Sequence, residues 1–144
     1  IEVSVLCYLY PTAPFIKIST LKKCYNLLVK SGYPKVMTIS KFSFPIERAL
    51  KKNKFGEIEF KVKKFMKYRS QDFSESFHDA GQCYWYNFTK KKILKHSIGY
   101  EIPQIEGIDI NTLDEFKLAK SLLIMKKINY DDKKISKILN KLSN

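Results

Sequence analysis

An apolar, β-rich run, VSVLCYLYP (Val3 to Pro11), is followed by an amphipathic stretch and then by a second apolar run, KVMTIS (Lys35 to Ser40). That order constrains the chain more than any other feature. Continuous apolar runs of this length read as strands buried on both faces, as in a parallel sheet. Between them, Leu21, Cys24, Tyr25 and Leu28 fall at i, i+3, i+4 and i+7, which places them on one helical face. Ser19 or Thr20 can cap the start of this helix, Gly32 can end it, and Pro34 prevents its continuation. The result is a β-α-β unit, whose crossover is right-handed almost without exception.

The middle of the chain changes period. In FPIERALKKNKFGEIEFKVKKF, Ile58, Phe60 and Val62 alternate with charged residues after a Lys-Phe-Gly turn. This predicts a half-exposed antiparallel arm from about residue 46 to 65. AGQCYWYNF (Ala80 to Phe88) reads as another strand, KKILKHS as a short helix and IEGIDI (Ile105 to Ile110) as a last short strand. TLDEFKLAKSLLIMKKIN opens with a capping box between Thr112 and Glu115, with Asp114 and Glu115 at the positive end of the helix dipole. A final helix is expected from Asp131 to Leu142. The reading is one domain over residues 1–144, a three-layer α/β sandwich with a mostly parallel sheet, a small β arm and C-terminal helices at about 112–142.

The 144 residues include 44% hydrophobic and 14% aromatic side chains, a globular composition. No apolar run approaches the roughly 20 residues needed to span a bilayer. The chain opens Ile-Glu-Val, inside a strand-like run, which reads as part of a longer protein. Cys7, Cys24 and Cys83 are odd in number and far apart, which reads as reduced core thiols of a cytoplasmic protein. With only His78 and His96 available, a Cys/His zinc site is not expected. The net charge of +13 raises a nucleic-acid reading, but only two of the 27 basic residues, Arg48 and Arg69, are arginine. The lysines are spread from Lys17 to Lys141, which favours a solvated surface over a nucleic-acid footprint.

Ligands of open α/β sheets bind outside the carboxyl ends of the strands. Three stretches qualify: Tyr10 to Pro14, Lys41 to Arg48, and Asp109 to Thr112. Asp109 and Asn111 lie two apart on the expected strand, so their side chains share one side. They can hold Mg²⁺ if phosphates and water complete its shell, or they can simply tie down a turn before a capped helix. In RSQDFSESFHDAGQCYWY, Arg69 suits a bidentate grip on a carboxylate or phosphate. Gln82 and Tyr84 can hydrogen-bond a polyol. The alternative is that Arg69 pairs with Asp72 or Asp79 and that Trp85 and Tyr86 are core.

PTAPF, TISKFSFPIERALK, RSQDFSESFHDAGQCYW and IDINTLDEF occur here in the order seen in the acylneuraminate cytidylyltransferases. Up to about Lys127 the chain resembles that family, and within it most of all the pseudaminic acid branch. The resemblance implies a Rossmann-like nucleotidyltransferase fold, Mg²⁺ as cofactor, and a reaction joining CTP to an acidic nine-carbon α-keto sugar with release of pyrophosphate. It implies Asp109 and Asn111 at the metal, Asp109 and Arg69 at the reacting centre, and Thr12, Pro45, Arg48, Gln71, Asp79 and Gln82 around the substrate. It also implies a cytoplasmic homodimer formed through the arm, with no nucleic-acid or membrane partner. Asn111 stands where the family usually has Asp, so weaker Mg²⁺ binding is expected. The family's N-terminal strand and its glycine-rich, basic CTP-binding loop are not in these residues. The 144-residue stretch is therefore expected not to turn over CTP alone, and to expose a sheet edge. Other sialic-type sugars, a basic binding module and a non-catalytic paralogue stand as alternatives.

Overall fold

The computed structural model describes residues 2–89 and 96–127. Its main sheet has four strands, β1 (Val5–Leu9), β2 (Lys35–Lys41), β5 (Phe77–Asn87) and β6 (Ile98–Glu101), in the order β1-β5-β2-β6. The arm is a two-stranded ribbon of β3 (Leu50–Lys52) and β4 (Ile58–Phe60). The helices are α1 (Ile18–Ser31) and α2 (Leu113–Lys127).

β5 lies antiparallel between β1 and β2, and β6 runs parallel to β2. Three strands therefore share one direction, yet two of the three adjoining pairs are antiparallel. This corrects the expected mostly parallel sheet. The apolar run of β5 reports that the strand is buried. It carries no information on direction, and β5 returns through the gap that the β1-α1-β2 connection leaves open.

α1 covers one face of the sheet. Cys24 and Leu28 pack with Val36 and Cys83, and Val5, Leu21, Trp85 and Ile98 complete the cluster. Strand alternation selects these partners, because Cys83 and Trp85 point to the α1 side and Tyr84 and Tyr86 to the other. The Tyr25 ring sits 5.2 Å from that of Trp85. Burying Leu28 and its neighbours contributes roughly 1.5–3 kcal/mol per large side chain. A helical layer on the second face, expected for three layers, is not seen among the described residues, where α2 packs against no strand as α1 does.

Further expectations change. β1 is the outermost strand among the described residues and pairs only with β5, so Leu6 and Tyr8 are 42% and 49% exposed, not buried on both faces. α1 starts two to three residues earlier than the Ser19/Thr20 cap implied. Its N-cap is Lys17, without a side-chain cap, and Gly32 ends it in the left-handed conformation. Ile105 to Ile110 is a loop, and the last strand among the described residues is β6. Gly99 lets β6 lie against β2, because a Cβ there would collide with the Ile39 side chain. The helix expected at KKILKHS, apart from His96 and Ser97, and the one from Asp131 to Leu142 lie outside the described residues.

Candidate active site

β1, β2 and β6 end, and β5 begins, at the same end of the sheet. The connections there form two neighbouring groups of side chains. The first is a seam between the turn after β1, the start of β5 and the loop that leads into α2. The Tyr10 amide donates to the Gln82 carbonyl at 3.1 Å, and the Ile110 amide donates to the Thr12 carbonyl at 3.0 Å. These two bonds bring Thr12, Gln82 and Asp109 together from segments far apart in sequence.

β5 reaches the seam through an irregularity. Met37 pairs with Tyr84 but Ile39 with Asp79, so two residues along β2 match five along β5. Thr38, fully buried, fills the gap: its hydroxyl accepts from the Cys83 amide at 3.2 Å and faces the Cys83 carbonyl at 3.4 Å. The extra residues turn at Gly81, whose φ of 61° is left-handed and whose absent side chain leaves room for Asp109. A Cβ at residue 81 would stand 3.4 Å from Asp109 Oδ2. Asp79 closes the turn by accepting from the Gly81 amide at 2.9 Å and from the Tyr84 hydroxyl at 2.8 Å. Burial, and then this carboxylate partner, push the Tyr84 phenol well above its ordinary pKa, so it stays a hydrogen-bond donor.

Asp109 and Gln82 carry the seam's chemistry. Asp109 Oδ2 accepts from Asn111 Nδ2 at 2.9 Å, whereas Oδ1 is buried with no partner among the described residues. Gln82 is 1% exposed; its amide nitrogen donates to the Glu106 carbonyl and its Oε1 is also buried and unpartnered. Each buried oxygen without a donor costs on the order of 1–3 kcal/mol. Both orphans are acceptors, so what satisfies them is a donor or a cation. A carboxylate oxygen such as Asp109 Oδ1 suits a magnesium ion that takes its remaining ligands from other oxygens, phosphate and water. It does not make a protein cage, and no group of three His, Cys, Asp or Glu side chains is arranged to hold a metal among the described residues. Beyond Asn111, the capping box forms as expected. The Glu115 carboxylate accepts from the Asn111 amide at 2.9 Å and the Thr112 amide at 2.7 Å, and the Glu115 amide donates to the Thr112 hydroxyl at 3.2 Å. These bonds, the Asn111 amide first, hold the Glu115 pKa below its ordinary value.

The second group lies off the ends of β2 and β5. The Phe42 amide donates to the Ser76 carbonyl at 2.9 Å, which joins the loop after β2 to the loop before β5. Pro45 lines the cleft between them. Arg48 donates to the Tyr68 carbonyl at 2.7 Å and lies over the Phe60 ring. Arg69 is exposed and pairs with Asp72 at 3.2 Å, while its own amide donates to the same carboxylate at 2.8 Å. Gln71 is exposed in the 3₁₀ turn Ser70–Asp72.

Of the residues singled out in the sequence, Thr12, Asp79, Gln82, Asp109 and Asn111 gather in the seam. Pro45, Arg48, Arg69 and Gln71 belong to the second group. Arg69 pairs within its own turn and not with Asp109. Lys17 and Glu106 went unnoticed in the sequence. They form an ion pair that ties the start of α1 to the Asp109 loop, and a single glutamate before Gly107 gives no sequence signal of that role. The three cysteines are free thiols. The contact with Cys24, and then burial, raise the Cys83 pKa, so it stays protonated and inert.

No protein-family model matches the chain. It is 30% identical over 133 residues to the pseudaminic acid cytidylyltransferases of two Campylobacter jejuni subsp. jejuni strains, of serotypes O:23/36 and O:2. Each match covers 88% of this chain and 55% of the relative, so the chain spans about half the length of the curated relatives it matches. Across that half, the chain is a distant family relative of the pseudaminic acid cytidylyltransferases.

Proposed function

We propose that this chain provides the sugar and metal half of a cytidylyltransferase that joins CTP to an acidic nine-carbon α-keto sugar of the pseudaminic type. The supporting observation is the seam itself: Asp109, with one buried unpartnered oxygen, sits at the strand ends beside Gln82 and the Thr12 turn. The sugar's anomeric hydroxyl attacks the α-phosphorus of CTP, its proton passes to solvent water, and pyrophosphate departs with the electrons of the broken P–O bond. Such a transfer asks the protein for positioning and for stabilisation of charge on phosphate oxygens. Asp109 Oδ1 and the Asn111 amide oxygen would hold Mg²⁺, which supplies that charge stabilisation. Gly81, Asp79 and Gln82 keep the Asp109 loop against β5. Arg69, released from Asp72, would grip the sugar carboxylate bidentately, with Gln71, Arg48 and Pro45 beside it.

The arm is the proposed contact with a second copy. Leu50, Ile58 and Val62 stand exposed on it, and sedimentation showing a monomer at tens of micromolar would remove that contact. No helix among the described residues is long and apolar enough to cross a membrane.

The test of the reaction is pyrophosphate release by the protein carrying this chain, given CTP, Mg²⁺ and, in separate arms, pseudaminate, legionaminate or N-acetylneuraminate. Release with pseudaminate in excess of the other two is expected. Release with another of the three would keep the reaction and change the sugar, and no release with any would overturn the reading.

A further inference from the structure

The cleft between the loop after β2 and the loop before β5 has a volume of about 230 Å³. It is lined by Ser43, Ser70, Ser74 and Ser76 together with the rings of Phe44 and Phe73. Ser43, Ser70 and Ser74 are exposed and Ser76 is half-buried, so their hydroxyls are open to a ligand or to water. At roughly 30 Å³ per water molecule this space is about eight waters. It is below the range of about 300–1,000 Å³ typical of whole drug-sized ligands, so it takes one arm of a larger molecule.

Charge decides which arm. Lys41, the one cation in the lining, is ion-paired with Glu75 across the cleft mouth. The wall is left without net charge, and a phosphate or carboxylate would find no free cation there. Hydroxyls that both donate and accept, set beside apolar ring surfaces, suit a neutral chain of hydroxyl and acylamino groups. The cleft is also tied to the seam. Gln104, in the loop leading to Asp109, donates to the Lys41 carbonyl at 2.7 Å.

We propose that this serine-lined cleft is a specificity subsite for the neutral, hydroxylated and acylamino-bearing arm of the sugar, with the reacting end directed toward Asp109. The inference rests on the reading of the chain as a sugar cytidylyltransferase. Arg69, which precedes the cleft-lining Ser70, stands at the edge of the cleft. Charged parts of the substrate go to Asp109 and Arg69, and the neutral arm goes to Ser43, Ser70, Ser74 and Ser76.

The experiment is a ¹⁵N–¹H titration of the protein carrying this chain with pseudaminate, repeated on Ser74→Leu and Ser43→Leu, which fill the cleft from its two loops. The amides of residues 43, 70, 74 and 76 are expected to shift. Each substitution is expected to weaken sugar binding about tenfold, the loss of roughly one hydrogen bond with its space. Pseudaminate shifting amides near residues 82 and 109 but not those of 43, 74 and 76, with both variants binding normally, would overturn the subsite and leave the cytidylyltransferase reading standing. Absence of sugar binding at millimolar concentration would overturn both.

Discussion

The Asp109 seam and the serine cleft share one end of the sheet but are built in opposite ways. The seam is assembled from segments distant in sequence, joined by main-chain bonds and by buried side chains such as Gln82 and Thr38. The cleft is made by two loops that mostly close on themselves, as where Arg69 and Asp72 bond each other within one turn. A site that must place charge on a phosphate gains from the first kind of construction, because fixed dipoles need no reorganisation. A site that must tell one sugar from another gains from the second, where side chains change without disturbing the sheet.

That contrast makes stability and binding respond differently to substitution. The largest stability loss is expected from Gly81→Val, which forces a β-branched residue into a left-handed backbone and crowds Asp109. The backbone penalty alone is about 1–2 kcal/mol, read as a thermal midpoint several degrees lower. Thr38→Val comes next. It leaves the buried Cys83 amide without its acceptor, at a cost of about 1–3 kcal/mol in urea unfolding; no change would break the claim that the β5 irregularity is held from within. Thr112→Ala removes a cap from α2 and is expected to cost about 1 kcal/mol by the same measurement.

The partner of that cap gives a pH signature. Because the folded-state pKa of Glu115 lies below its ordinary 4.5, its stabilising bonds are fully present above that value. They are lost as pH falls through the depressed folded value. An NMR titration finding the Glu115 carboxyl at or above 4.5 would contradict the capping geometry. The smallest stability effect is expected from Arg69→Ala. Its ion pair is solvent-exposed, so the loss should stay below about 0.5 kcal/mol, while sugar affinity falls. Equal loss of stability and affinity would erase the distinction between the two regions.

Much of the scaffold was legible in the residues. The apolar face of α1, the alternation of the arm and the Thr112–Glu115 cap each follow a local period, and local periods survive folding. Strand direction did not show, since an apolar run such as CYWY reports burial alone. Ile105 to Ile110 alternates like a strand, yet main-chain and side-chain bonds to Thr12 and Gln82 hold this segment as a loop. Asp109 and Gln82 were named as site residues, but their unpartnered oxygens became visible only in three dimensions. The serine cleft left no trace in the sequence, because small polar residues in loops have neither period nor distinctive spacing.

The most direct test of the central claim is paramagnetic broadening of the ¹⁵N-labelled protein carrying this chain by Mn²⁺ with CTP. The account predicts signal loss centred on the amides of Thr12, Gly81, Gln82, Asp109 and Asn111, and its disappearance in Asp109→Asn. Broadening confined to the lysine-rich arm, or unchanged by Asp109→Asn, would contradict it.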